Sequence, residues 1–353
     1  VKFMKIGIVG PASAGKTTLF RLLTGAAPAR SKGGLTIGTA HVPDERLDRL
    51  SAVFKGKKTV YATLEFCDLP PLGAKSEISG ETAGKLKSLD ALTVVVRAHR
   101  DPTVPWPGEP VAPDKAFSSF QEEMILTDLL QLDKILGRKK DKGRSQEETA
   151  FLEKCQSLLE EMKPLSSANW DAGELPCLRN YAFLSSRPVL VAVNIDEEQL
   201  QDHIYDGQRE LLSLCEKASY PVIEFCGTLE IDISEMDKEE QAEYLAAYGL
   251  KQSGIARLAA AAYRLLDLIS FFTVGEDEVR AWTVKNFTPA KKAAGKVHSD
   301  MERGFIRAEV INFAEFMSLG ASLKIARELG KLRLEGKDYP VCDGDIINFR
   351  FNV

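Results

Sequence analysis

The sequence predicts an α/β protein: a doubly wound, mainly parallel sheet with helices on both faces, an inserted antiparallel helical hairpin, and a small C-terminal α+β domain. Three observations carry this expectation. Short apolar runs at 4–9, 60–66, 92–96, 189–193 and 222–225 are mostly separated by helical patterns, the mark of parallel strand–helix–strand winding. That alternation is interrupted between about 117 and 165 by two helical seams. After about residue 271 the texture changes again, to short strands around a helical stretch.

The first element is a buried strand at 4–9 (MKIGIV), ending in a glycine loop, with a helix from 17 to 24. A proline-dense stretch at 102–113 reads as an irregular loop. In the interruption, Ile125, Leu129, Leu132 and Leu136 are spaced four, three and four apart, and Phe151, Cys155, Leu158, Met162 and Leu165 repeat that rhythm. Two such seams flanking a polar stretch predict a hairpin of helices. Its tip carries Arg138, Lys139, Lys140, Lys142 and Arg144, which reads either as a solvated turn or as a contact for RNA phosphate. The C-terminal part has strand candidates at 278–284, 304–310 and 346–351 around helical residues 314–329. The resulting division is 1–117 with 166–270, then 118–165, then 271–353.

Composition sets the outer bounds. The 353 residues include 46 Lys and Arg against 51 Asp and Glu, a net charge of -5, which argues against a general nucleic-acid coat and leaves a local basic patch open. Six dispersed cysteines and four scattered histidines lack zinc-site spacing. The most apolar window, 255–272, contains Arg257, Arg264 and Asp267, so it reads as a core-facing helix rather than a membrane span. The glycine loop comes too early for a signal peptide, and the expected location is cytoplasmic.

The chemistry lies in Gly10-Pro-Ala-Ser-Ala-Gly15-Lys16-Thr17, which fits the phosphate-binding pattern G-x(4)-G-K-[ST] without deviation. Glycines let the backbone curl so that successive N–H groups point at an anion, and the following helix adds the positive end of its dipole. Lys16 would stabilise charge on the β- and γ-phosphates, with the Thr17 hydroxyl on Mg²⁺. Gly10, Ala12, Ser13, Ala14, Gly15, Lys16, Thr17 and Thr18 are thus the expected phosphate-site residues. Asp68 closes the strand run that begins at 60 and is the expected carboxylate of the metal shell.

Several segments together resemble the YchF family of Obg-like ATPases. The C-terminal ones are Glu278-Val-Arg-Ala-Trp-Thr, Ala294-Gly-Lys-Val-His-Ser-Asp-Met-Glu-Arg-Gly-Phe-Ile-Arg-Ala-Glu309, Leu334-Glu-Gly-Lys-Asp-Tyr339 and Asp343-Gly-Asp. They look like that family's TGS domain, a β-grasp module. Val42-Pro-Asp-Glu-Arg-Leu-Asp48 and Thr59-Val-Tyr-Ala-Thr-Leu-Glu-Phe66 look like its switch flank. The resemblance spans nearly the whole chain. It implies a P-loop NTPase binding Mg·ATP, with GTP the second choice, hydrolysing it slowly and associating with the ribosome or RNA. It also implies that Thr36 is the first-switch threonine closing on Mg²⁺. Asn194 and Glu197, as N-x-x-E in place of N-K-x-D, would meet the base and favour adenine. Cys226 and Gly227 would belong to the second base loop.

Four departures bear on hydrolysis. The family's D-x-x-G reads Asp68-Leu-Pro-Pro71; proline has no N–H to offer the γ-phosphate. Ser13 stands where the family has an asparagine that helps hold K⁺, which counts against a K⁺-assisted mechanism. Trp106 lies near where a water-positioning histidine falls in the family, with His99 an alternative a few residues earlier. The glycine- and lysine-rich character of the second switch is thinned across 72–80. Two readings follow: a slow ATPase, or a binding module in which nucleotide is a ligand without turnover.

Overall fold

The computed structural model describes residues 4–25, 35–72, 78–137 and 144–352. Its first seven strands are β1 (Lys5–Val9), β2 (Thr36–Val42), β3 (Lys58–Val60), β4 (Ala62–Asp68), β5 (Ala91–Arg97), β6 (Val189–Ile195) and β7 (Val222–Cys226). Five more follow: β8 (Leu268–Val274), β9 (Glu278–Lys285), β10 (Phe305–Asn312), β11 (Arg333–Glu335) and β12 (Asp345–Phe351). The chain forms two compact units, one of residues 4–39 and 65–262, the other containing 40–64 and 263–352.

The first unit is built on the sheet β2-β4-β1-β5-β6-β7. Its pairs β4/β1, β1/β5, β5/β6 and β6/β7 are all parallel. Every residue of β5 and β6 is buried, as expected of strands covered by helices on both faces and written as unbroken apolar runs. The expected α/β class with a mainly parallel sheet therefore holds. The parallel arrangement brings the C-terminal ends of β1, β4, β5, β6 and β7 to one edge, where ligands of such sheets bind.

Within the same unit, helices Pro113–Gly137 and Gln146–Glu160 form the hairpin. The first seam is as expected, with Ile125 and Leu132 buried. Of the second, Phe151, Cys155 and Leu165 are buried as expected, with Leu152, Leu159 and Phe183 in the same cluster, whereas Leu158 only packs at the margin. Met162 is 44% exposed because the helix ends at Glu160. Of the basic tip, Arg138, Lys139, Lys140 and Lys142 lie outside the described residues, and Arg144 donates to the Ile135 carbonyl at 2.7 Å.

The second unit has the mixed sheet β11-β10-β12-β8-β9-β3. Helix Ala290–Val297 lays Ala290, Ala293 and Ala294 against Ile269, Phe271, Val284, Val310 and Ile347. Small residues let the helix lie close to the strands, giving the expected β-grasp arrangement. The window 255–272 proves to be two elements, a helix Gly254–Leu265 and the strand β8, so the single-helix expectation is corrected. Asp267, at φ 54, makes the turn between them. Residues 40–64 join this unit through Arg46, which bonds Asp44 at 2.8 Å and Asp343 at 2.7 Å with its guanidinium 5.3 Å from the Phe272 ring centre. Among the described residues no helix is long and apolar enough to cross a membrane.

Candidate nucleotide site

The loop between β1 and helix Lys16–Thr24 has the curl that its glycines allow. Gly10 sits at φ 140 where a Cβ would lie 2.2 Å from the Val95 carbonyl oxygen, and Gly15 at φ 96 where a Cβ would lie 2.4 Å from the Asn194 amide nitrogen. Only glycine fits either position. Ser13 also takes a positive φ, of 60. Gly15 is the N-cap of the helix and brings no capping side chain, so the first-turn N–H groups remain directed at the loop mouth, where an anion is favoured.

Lys16 opens the helix and is 6% exposed. Its Nζ donates to the Pro11 carbonyl at 2.6 Å, and burial pushes its pKa down to about 8 against the opposing pull of Asp68. Thr17 Oγ1 donates to Asp68 Oδ2 at 3.1 Å. Asp68 Oδ1 is shielded and without a hydrogen-bond partner. Burial raises the Asp68 pKa, against Thr17, Lys16 and Arg21. A buried carboxylate oxygen without a donor, beside a threonine hydroxyl, fits a hard cation that takes oxygen ligands. These residues therefore suit Mg²⁺.

Asn194, near the end of β6, ties the site together. Its Nδ2 donates to the Ala14 carbonyl at 3.2 Å, and its Oδ1 accepts from Gly227 N at 3.1 Å. The asparagine thereby joins the phosphate loop to the β7 loop. A cavity of about 790 Å³ lies over these strand ends, within the usual range of ligand pockets. Ala12, Ser13, Gly15, Lys16, Thr17, Thr18, Thr36, Asp68, Asn194 and Gly227 all line it. Of the remaining sequence-derived residues, Gly10 lines a neighbouring cavity of about 730 Å³, and Ala14 is fully buried. Cys226 is buried with its Sγ 3.2 Å from Thr228 Oγ1. Glu197 accepts from Tyr248 Oη at 3.1 Å, while the adjacent Asp196 lines the cavity.

Asp196, Thr228, Ile231, Asp101 and Val104 were not expected at this edge and line the same cavity. Thr228 and Ile231 follow Gly227 into helix Gly227–Glu235, so their three-residue spacing was the available signal. Asp101 and Val104 are held by Arg97, whose Nη2 donates to both carbonyls at 3.1 and 2.9 Å. A charged residue closing an otherwise apolar strand was the clue to that loop.

The departures have a physical setting. Pro71 lines the cavity, and the next N–H, that of Leu72, is already spent on the Gly10 carbonyl at 3.2 Å. Trp106 lines the neighbouring cavity instead, its ring centre 4.1 Å from the Arg97 guanidinium carbon. His99 does line the main cavity; burial and then Arg97 lower its pKa, which keeps the imidazole neutral near pH 7.

Comparison with known proteins agrees with this geometry. The family model YchF-GTPase_C, described as "Protein of unknown function (DUF933)", matches residues 268–352. The chain is 37% identical over 365 residues to the "Ribosome-binding ATPase YchF" of Shigella flexneri, covering 99% of each. It is 34% identical over 365 residues to the protein of that name from Bacillus subtilis (strain 168), covering 98% of this chain and 99% of that one. The solved structure of the Schizosaccharomyces pombe YchF GTPase superposes with a TM-score of 0.88 at 26% identity, covering 99% of this chain and 98% of that one. With a phosphate loop of this form on the first unit and relatives matching end to end, the chain belongs to the YchF family.

Proposed function

We propose that this chain binds Mg·ATP at the edge formed by β1, β4 and β6, turns it over slowly, and associates with the ribosome. The observation carrying the nucleotide reading is the pairing of a desolvated Lys16 with the unsatisfied Asp68 Oδ1 in one cavity. Both groups are held at a cost that a bound phosphate and its cation would offset. Mg²⁺, when bound, would neutralise phosphate charge; Thr17, Thr36 and Asp68 are the residues to hold its shell. Lys16 stabilises charge on the transferring phosphoryl group, and the Gly15–Lys16 helix end receives the adjacent oxygens. Asn194 keeps the phosphate loop and base loop in register. Adenine preference, with GTP second, rests on the N-x-x-E spacing of Asn194 and Glu197.

The ribosome reading is supported by the names of the relatives, and the basic hairpin tip is the surface we assign to it. The functional division we propose is a nucleotide part of 1–117 and 166–270, the hairpin of 118–165, and the β-grasp part of 271–353. A second reading, nucleotide as a ligand without turnover, is favoured by Pro71, since neither it nor Leu72 has a free N–H for the γ-phosphate. Phosphate release from ATP with Mg²⁺, with and without K⁺ and ribosomes, beside a Lys16→Ala control, separates the two. Release at the control rate under every condition leaves only the ligand reading. Tight GTP binding without ATP binding would overturn the adenine assignment.

A further inference from the structure

We propose that the turn at Phe287 is a stacking site for an unpaired RNA base, rimmed by lysines that take the neighbouring phosphates. Phe287 is 75% exposed, the most exposed of the large hydrophobic side chains described, and its backbone sits at φ 60. A bulky residue in the left-handed region is an outlier that persists only where its surroundings hold it. Here they do. Asn286 N donates to the Asp267 carbonyl, Thr288 N to the Lys285 carbonyl, and Val341 N to the Thr288 carbonyl, while Asn286 Oδ1 accepts from Phe287 N at 3.0 Å. The fold thus fixes the turn and spends strain on placing an aromatic ring in solvent, where packing gains nothing from it.

The rim identifies the occupant. Lys291 N donates to the Lys337 carbonyl, which brings those two residues beside the turn that Lys285 enters. All three lysines are exposed, and none makes an ion pair among the described residues, in contrast to Lys292, which pairs with Glu302. Asp267 is the acidic residue in the same backbone network, and the exposed Asp338 follows Lys337 in the chain. An aromatic platform whose backbone neighbours include exposed, unpaired lysines suits a polyanion with planar groups, which is single-stranded nucleic acid. The inference deepens the ribosome reading, on which it rests for the source of the RNA.

The test uses the full chain, a labelled single-stranded oligoribonucleotide of about 12 nucleotides, and ribosome co-sedimentation. Phe287→Gly removes the ring and relieves the backbone. It should melt no lower than wild type yet bind the oligonucleotide at least about fivefold more weakly, while Phe287→Trp retains binding. Lys285, Lys291 and Lys337 changed together to Ala should flatten the salt dependence of binding. Equal oligonucleotide affinity for wild type and Phe287→Gly overturns the proposal, as does a wild type that binds no oligonucleotide. If Phe287→Gly loses ribosomes and keeps oligonucleotide affinity, the ring meets protein and the RNA assignment falls. Wild type that binds oligonucleotide through Phe287 and ignores ribosomes overturns the ribosome reading instead.

Discussion

Replacing Lys16 by methionine should stabilise the nucleotide-free protein while abolishing its affinity for ATP. The magnitude follows from the burial of the ammonium group. Its pKa falls from 10.5 to about 8, so holding the charge in the folded state at neutral pH costs about 3 kcal/mol. Methionine keeps the apolar stem and removes the charge, but it also strips the Pro11 carbonyl of the 2.6 Å bond from Nζ, a loss of about 1–2 kcal/mol. The net gain is about 1–2 kcal/mol, a rise of about 2–8 °C in the melting of the nucleotide unit.

The same burial fixes the sign of the pH dependence. Between pH 8 and 10.5 the unfolded chain keeps the lysine proton and the folded chain has released it. Wild-type stability therefore rises with pH across that window, is lowest from this cause below pH 8, and loses that rise in Lys16→Met. A bound triphosphate favours the ammonium form. ATP affinity should consequently fall above pH 8, approaching about tenfold per pH unit, with proton uptake on binding. Thermal melts from pH 6.5 to 10 and calorimetric titration in buffers of different ionisation heat measure both effects. A Lys16→Met protein that melts below wild type at pH 7, or an ATP affinity flat to pH 9.5 without proton uptake, refutes the reasoning.

Three further changes probe the rest of the site. Asn194→Ala leaves the Ala14 carbonyl and Gly227 N–H without their buried partner, costing about 2–4 kcal/mol; denaturant melts read the loss, and a change under about 0.5 kcal/mol would mean that water replaces the side chain. Asp68→Asn should weaken ATP binding in Mg²⁺ by about tenfold or more and leave binding in a chelator nearly unchanged; equal losses in both conditions would remove Asp68 from the metal shell. Pro71→Gly restores a backbone donor at the cavity wall and should raise phosphate release by about tenfold, a fraction of what a well-aimed oxyanion donor supplies. An unchanged rate would place the limiting defect elsewhere, with Trp106 the next position to alter.

Much of the parallel sheet was readable because its central strands, β5 and β6, are buried on both faces. An unbroken run such as Ala91–Arg97, buried at all seven positions, has no other economical reading in a chain punctuated by glycine loops. β8 was not readable. Its apolar residues follow directly on those of helix Gly254–Leu265, and what separates them is the left-handed backbone of Asp267, which composition does not announce. The phosphate loop was legible for the opposite reason: eight consecutive residues carry it, and their conformations are set by local glycines. Asn194 was singled out through the family resemblance as a base contact, whereas its bonds to Ala14 and Gly227 depend on partners 180 and 33 positions away that the sequence does not announce.

The least legible part of the site is what its backbone N–H groups do. That Pro71 lacks a donor can be read from one letter. That Leu72, the next candidate, has spent its own donor on Gly10 depends on how the strand end folds back over the phosphate loop. The two facts compound. One missing donor could be replaced by its neighbour through a small shift of the chain, but here such a shift would have to break a bond that also pins the loop. Thr36, at the head of β2, lines the cavity. Among the described residues, then, we propose that sensing of a γ-phosphate rests on a side chain, and Thr36→Val should separate nucleotide binding from any response to it.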